Sequence, residues 1–484
     1  MTAPMPTETP TSPAADTTGA AGAVDAGEVD NAASLGEFSP AAWTAVPRAV
    51  WPLLAGLLLA YLIHALLRPA LGGFGVVLAI AGINIVLAVS LNIVNGYAGQ
   101  FSIGHAGFMA LGAYAGAAIV YYGSFKIWGD AGFHGGSLSF IGRDDPAFWP
   151  PVRAGELLFL AACLAGGIVA AAAGWLVGLP SLRLRGDYLA IVTLGFGEIV
   201  RVLLQGTQAQ ITGRRAAEVQ VIRDTPWWRL LDNLGGSRSF SGVPPYATVF
   251  WIYVGVAVVL AVAVRLKYSG YGRALLSIRE DETAATAVGV DVTRYKVRAF
   301  VLSAFFAGVA GALTALHIGQ INAGELGFQR SFEIVIMVVL GGLGSISGAA
   351  MAAVLLTILP ELLRAPPSLW PWGLPVVAVV ALLVWLHARR RVRGLVIVAG
   401  ACVAYELVRY LAGALGVDLS QYRMILYSLV LILVMILRPQ GLLGVAELWD
   451  LWPFTLLPRL RSLPLVSRIA GGGSRRTSPA EGRR

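Results

Sequence analysis

A chain of 484 residues would ordinarily fold as two or three soluble domains, but 57% of this one is apolar and only 13% is charged. Soluble proteins carry roughly a quarter charged residues, so there is too little charge to cover a water-facing surface, and the composition fits ~20-residue membrane spans instead. The net charge of +9 does not point to nucleic acid, because the basic residues are scattered between apolar segments.

Residues 1–47 are rich in Ala, Thr, Pro and Gly and carry Glu8, Asp16, Asp25, Glu28, Asp30 and Glu37. They read as a disordered acidic tail, without the basic start of a secretory signal. Apolar spans follow at about 50–67, 74–94, 103–122, 156–179, 187–205, 247–266, 298–317, 332–344, 346–363, 372–388, 395–415 and 423–438. The expected fold is therefore an all-α polytopic membrane protein of about twelve spans. The count drops to ten or eleven if the 331–363 run crosses once or the second span is re-entrant. Short basic turns at Arg183–Arg185 and Arg389–Arg393, seven basic residues between Arg265 and Arg298, and a basic tail over 445–484 belong in the cytoplasm by charge. Both termini then lie inside.

Four stretches carry polar groups among these spans. Asn92 to Ala113, NIVNGYAGQFSIGHAGFMALGA, places Asn95, Gly96, Gln100, Ser102, Gly104 and His105 at the junction of two spans. Small residues that let helices pack closely would use the same composition; the functional alternative is an opened helix lining a permeation path. In GDYLAIVTLGFGEIVRVL, Glu198 and Arg201 are three apart and share a helix face, as an ion pair or as route residues. The loop GRALLSIREDETAATAVGVDVTRYKVRAF has Glu280, Asp281 and Glu282 before an Ala-rich run that includes Ala285 and ends at Gly289, the start-acid, stop-glycine pattern of a short helix. Asp291 is placed to cap the next span. A solvated linker is the plain reading of this loop; docking into a groove on a soluble partner is the other. Finally, the 33-residue run Ser331 to Leu363 is interrupted at Gly341, Gly342, Gly344 and Gly348, next to Ser345, and is expected to break there.

What is missing is as informative. The only lysines are Lys126, Lys267 and Lys296, and none follows a glycine, so the chain has no Gly-Lys-Ser/Thr phosphate loop. The cysteines Cys163 and Cys402 both lie in apolar segments, and His64, His105, His134, His317 and His387 have no metal-ligand spacing, which leaves neither a metal cluster nor a metalloenzyme site. A twelve-span ion-coupled transporter remains as the rival class.

These stretches, together with VVLGGLGSISGAAMAAVLLTILPELLR and YRMILYSLVLILVMILRPQGLLG, resemble the permease subunit of branched-chain amino acid ABC importers, the LivM family. The resemblance covers about residues 70–364 and 422–444. It implies a bacterial inner-membrane subunit paired with a second homologous permease, two cytoplasmic ABC ATPases and an extracytoplasmic solute-binding protein. The chain itself would bind no cofactor, its partners hydrolysing the ATP, and Glu280 to Gly289 would be the helix that docks on an ATPase. A related permease for urea, short amides or another amino acid is the alternative. The implied organisation is a permease domain over 48–364 with the coupling loop at 267–297, an inserted two-helix hairpin over 365–418 and a final permease helix over 419–444. Three departures from the family pattern stand out. Thr212-Gly213 is followed by Arg214 and Arg215 where the family has a second glycine, and the hairpin and acidic tail look like additions.

Overall fold

The computed structural model describes residues 74–136, 138, 153–181, 187–364, 441–444 and 447, with isolated positions at 56, 428, 432 and 436. The acidic tail, the first apolar span, the 365–418 hairpin, most of the final helix and the basic tail fall outside the described residues.

Within them the chain is helical. In order come α1 (Phe74–Asn92), continued by a π turn at Ile93–Tyr97, α2 (His105–Ile127), α3 (Ala154–Ser181) and α4 (Asp187–Gln205). Two short helices, α5 (Ala216–Asp224) and α6 (Trp227–Leu230), and a two-residue strand β1 (Phe240–Ser241) fill the long loop that follows. Then come α7 (Val249–Tyr268), α8 (Gly270–Glu280), α9 (Glu282–Ala287), α10 (Val292–Ile318), strand β2 (Gln320–Ile321), α11 (Phe328–Gly341) and α12 (Ile346–Arg364). Antiparallel pairing of Phe240 with Ile321 and of Ser241 with Gln320 is the extent of sheet among the described residues, as an all-α reading expects.

Six of these helices, including α1 through its π turn, are long and apolar enough to cross a membrane. The predicted 332–344 and 346–363 spans are present as α11 and α12, separated by a tight turn. Fourteen residues make α11 about 21 Å long, short for a ~30 Å hydrocarbon core. Buried fractions of 72 to 83% put α1, α2 and α10 at the centre, against 22 to 39% for α3, α4 and α7. A seam of small residues sets the central spacing. A Cβ added at Gly112 of α2 would lie 2.1 Å from the Gly308 carbonyl oxygen of α10, and one at Gly308 would lie 2.5 Å from that of Gly166 in α3. Lipid gives helices no hydrophobic reason to associate, so this backbone-to-backbone packing carries the core.

Two ends of the bundle are distinct. One carries the 269–291 loop, the end of α1, the start of α10 and the α11–α12 turn. At the other, Tyr122 Oη donates to the Asn233 carbonyl at 2.6 Å and Lys126 Nζ to that of Thr225 at 2.7 Å, tying the 206–246 segment to α2. The Thr212–Arg215 departure lies here. Glu218 accepts from Thr212 Oγ1 at 2.9 Å and from the Arg214 N–H at 3.0 Å, and the Thr212 bond comes first among those that hold its carboxyl below the usual range.

Candidate functional site

The first break opens with the π turn Ile93–Tyr97, a widened geometry that recurs at functional sites. Residues 98–104 then run without helix back into the bundle, and α2 starts at His105. Irregular backbone inside an apolar medium needs protein partners for its N–H and C=O groups, and neighbouring side chains supply them. Asn95 Oδ1 accepts from the Ser102 N–H at 3.2 Å, and its Nδ2 donates to the Ser102 carbonyl at 3.4 Å. The Ile103 N–H donates to Thr193 Oγ1 of α4 at 3.1 Å, and the Ala106 N–H to Ser331 Oγ of α11 at 3.3 Å. Gly104 presses on α4 so closely that a Cβ there would sit 2.0 Å from the Thr193 carbonyl oxygen.

His105 is buried beside Ser90, with Nε2 to Oγ at 2.8 Å. The same hydroxyl donates its single proton to the Leu87 carbonyl at 2.9 Å, so the imidazole nitrogen is the donor toward it. Ser303 of α10 donates to the Ser90 carbonyl at 2.6 Å and closes the group. Ser90 lies six positions before Gly96, so this polar knot is about 9 Å inside the loop end. Gln100 Oε1 and Tyr97 Oη are buried here with no hydrogen-bond partner among the described residues.

The second break is the α11–α12 turn. Gly342 and Gly344 have φ of 109° and 92°, a region that favours glycine. Gly348, expected as part of the interruption, is instead inside α12. It has no side chain because α11 and α12 cross there, and a Cβ at that position would meet the Gly341 carbonyl oxygen at 2.2 Å. The two breaks touch. Asn92 Oδ1 accepts from the Gly344 N–H at 2.9 Å, and Asn92 Nδ2 donates to the Ser345 carbonyl at 3.0 Å. Gly96 permits the approach, since a Cβ on it would lie 2.5 Å from the Gly344 nitrogen.

A carboxylate from beyond the last predicted span completes the turn. Glu447 accepts from the N–H groups of Ile346 and Ser347, both at 2.9 Å, and from Ser347 Oγ at 2.6 Å, so it caps the start of α12. It also pairs with Lys267 at the end of α7, whose Nζ reaches the Gly344 carbonyl at 3.1 Å. Burial pushes the Glu447 carboxyl up, but the bonds from Lys267, Ser347 and the α12 backbone outweigh it and hold it below the ordinary range.

The loop expected to couple to a partner lies directly under this cluster. Glu280, expected to open the short helix, is instead the last residue of α8, because Ser269 caps an amphipathic segment that begins earlier, at Gly270. Asp281 is the N-cap of α9, accepting from the Thr283 and Ala284 N–H groups at 2.7 and 3.0 Å. These bonds, that from Ala284 foremost, hold its carboxyl below the usual range. Glu282 starts α9 and pairs with Lys296 of α10, Ala285 is buried, and Gly289 turns the chain at φ 87°. Asp291 caps α10 through the Arg294 N–H at 3.0 Å, as its position predicts. From α8, Arg279 Nη1 donates to the Gly96 carbonyl at 2.8 Å.

Glu198 lies apart, five residues beyond Thr193 along α4. It pairs with Arg201 at 2.6 Å, as the spacing predicts, and its Oε1 accepts from the Phe328 N–H at 2.9 Å. The two line a cavity of about 400 Å³ with Glu325, Arg330 and Glu333. Among the described residues no group of three or more His, Cys, Asp or Glu is placed to hold a metal ion.

The structure therefore joins Asn95, Gly96, Gln100, Ser102, Gly104 and His105 to Gly341, Gly344 and Ser345, and joins that group to the 269–291 loop. Sequence reading missed four connecting residues: Asn92, Lys267, Arg279 and Glu447. Only Glu447 left a signal, as an acid three residues past Gly444 in a segment dominated by basic residues.

Known proteins resemble this chain over much of its length. The chain is 38% identical over 295 residues to the high-affinity branched-chain amino acid transport system permease protein LivM of Salmonella typhimurium, and 37% identical over 295 residues to its Escherichia coli K12 namesake. Each match covers 58% of this chain and 61% of the relative, so the chain spans about three fifths of the length of these curated relatives. The permease protein LivH of E. coli K12 is 28% identical over 215 residues, covering 44% of this chain and 68% of that protein. No solved structure matches. Residues 74–435, well over half of the chain, match the family described as the permease component of branched-chain amino acid transport systems. With its apolar helices, this chain is a multi-pass membrane protein and belongs to that permease family.

Proposed function

We propose that the chain is the transmembrane subunit of an ATP-binding cassette importer for branched-chain amino acids, set in a bacterial plasma membrane with both termini in the cytoplasm. It works beside a second, homologous permease, two cytoplasmic ATPases that bind and hydrolyse ATP, and an extracytoplasmic protein that delivers the solute. The names of the relatives LivM and LivH support both the solute class and the pairing of two permeases.

The observation that carries this reading is the form of the 281–291 segment. Its inner side is fixed by Ala285, the Glu282–Lys296 pair and two side-chain caps, while Val288 is 78% exposed at its tip. A seated helix that presents one apolar side chain fits a groove on a soluble partner. The solute passes along the two helix breaks, where the unpaired Gln100 Oε1 and Tyr97 Oη offer polar contacts. The cavity around Glu198, Arg201 and Arg330 is the outer mouth, with charges of both signs for a zwitterion.

Cysteine crosslinking tests the docking. Val288→Cys is expected to crosslink to an ATPase subunit in a nucleotide-dependent manner, and Val288→Asp to release the ATPases from the purified complex. ATPases that remain bound to V288D, with no crosslink at the cysteine, refute the proposal. Calorimetric titration of the associated binding protein with amino acids, urea and short amides decides the solute.

A further inference from the structure

We infer that Glu447, Lys267 and Arg279 are positioning residues that clamp both helix breaks to the coupling loop, so that the loop and the route move as one body. The inference rests on the proposed docking of the 281–289 segment, and deepens it by naming the parts that carry the motion onward.

Neither break can hold itself. A helix start leaves its first N–H groups without intrahelical partners, and a glycine turn has no side chain with which to hold its neighbours. Left alone, the Gly342–Ser345 turn and the π turn at Ile93–Tyr97 would be the softest points at the loop end. Each is held by a charge from elsewhere. Glu447 takes the Ile346 and Ser347 N–H groups and the Ser347 hydroxyl, and Lys267 takes the Gly344 carbonyl while pairing with Glu447. Arg279 takes the Gly96 carbonyl.

The connectivity gives these bonds a direction. Arg279 is two residues before the Asp281 cap of α9, so displacement of the loop pulls on Gly96 through one side chain. Gly99 lets α8 lie this close, because a Cβ there would meet the Arg279 backbone at 3.2 Å. Gly96 is in backbone contact with Gly344, and Asn92 bonds both Gly344 and Ser345. Lys267, the penultimate residue of α7, precedes the loop and also holds Gly344, through its carbonyl. Movement of the loop therefore reaches the α11–α12 turn along two paths, through Arg279–Gly96 and through Lys267–Glu447. Packed interfaces of this kind shift between discrete arrangements rather than deform smoothly.

A clamp differs from a plain structural support in what its loss changes. Charge-assisted hydrogen bonds are roughly twice as strong as neutral ones, so weakening them should let the loop move without carrying the breaks along. In the complete importer in liposomes, containing both permeases, the ATPases and the binding protein, Glu447→Gln is expected to keep the ATPases bound and ATP hydrolysis within about twofold of the parent. Solute carried per ATP should fall by about tenfold, in proportion to the lost bond strength, and Glu447→Asp should recover part of it. Arg279→Gln should show the same signature and carries the test alone if E447Q does not accumulate in the membrane. An unchanged ratio of solute to ATP in the variants, or ATPases lost from them, overturns the clamp. V288D separates the two ideas. If it retains the ATPases and Val288→Cys gives no crosslink, the docking reading fails and the clamp falls with it; if it releases them while R279Q and E447Q leave the ratio intact, the clamp alone fails.

Discussion

Replacing Asn92 with alanine removes the direct side-chain link between the two helix breaks. The Asn92 side chain is buried and makes two bonds, from the Gly344 N–H and to the Ser345 carbonyl, at 2.9 and 3.0 Å. Buried side-chain hydrogen bonds in membrane proteins average ~0.6 kcal/mol each, which sets a floor of about 1.2 kcal/mol for the pair. The truncation also strands the buried Gly344 N–H, and such a group costs about 1–3 kcal/mol when left unmet. The expected loss is therefore about 2 to 4 kcal/mol. Asn92→Asp keeps the acceptor for Gly344 but turns the donor toward Ser345 into an acceptor, so it too destabilises. Asn92→Gln, which retains both functions on a longer stem, should lose less than alanine does. Unfolding of the purified protein in mixed detergent, followed by the fluorescence of its 13 tryptophans, measures the difference. A loss below about 0.5 kcal/mol for N92A, under the floor set by two average bonds, would show that the breaks are held together by something else.

Two further outcomes follow from the packing and the charges. Gly112→Val should destabilise by at least the ~1–3 kcal/mol of ordinary overpacking, since even its Cβ would collide with the Gly308 carbonyl; membrane accumulation equal to the parent's would contradict the seam. For Glu447, whose carboxyl is held below the usual range, the stabilisation is complete above an unfolded-state value of about 4.3 and is lost as pH falls through the lower native value. The stability gap between parent and E447Q should hold from pH 8 to about 5 and close only below about 4; closure between pH 7 and 6 would contradict the bonding described here.

Much of this architecture can be read from the chain because lipid imposes simple rules. Apolar length marks the spans, and glycine clusters mark where helices stop, which is why the turn at Gly342–Ser345 and the opened stretch before His105 were foreseeable. Local chemistry was equally plain in the Glu198–Arg201 pair, the Asp291 cap and the short helix ending before Gly289. What stayed hidden depends on distance in the chain. The bond from Asn92 spans more than 250 positions to Gly344, and Glu447 meets Ile346 across about 100. No periodicity encodes such pairs. Gly348 shows the opposite error, since a glycine placed for close helix crossing has the same letter as one placed for a turn. Glu280 shows a third, because its helix begins at Gly270 and an acid at a helix end looks like one at a helix start.

In the function proposed above, this permease is a passive gate moved through its 281–289 segment by separate ATPases. Leucine uptake into liposomes tests it most directly, comparing vesicles that hold the complete importer with vesicles that hold this chain alone under an imposed proton or sodium gradient. Uptake only in the complete system, and only with hydrolysable ATP, is the expected result. Uphill leucine accumulation by the chain alone, driven by the ion gradient, would contradict it.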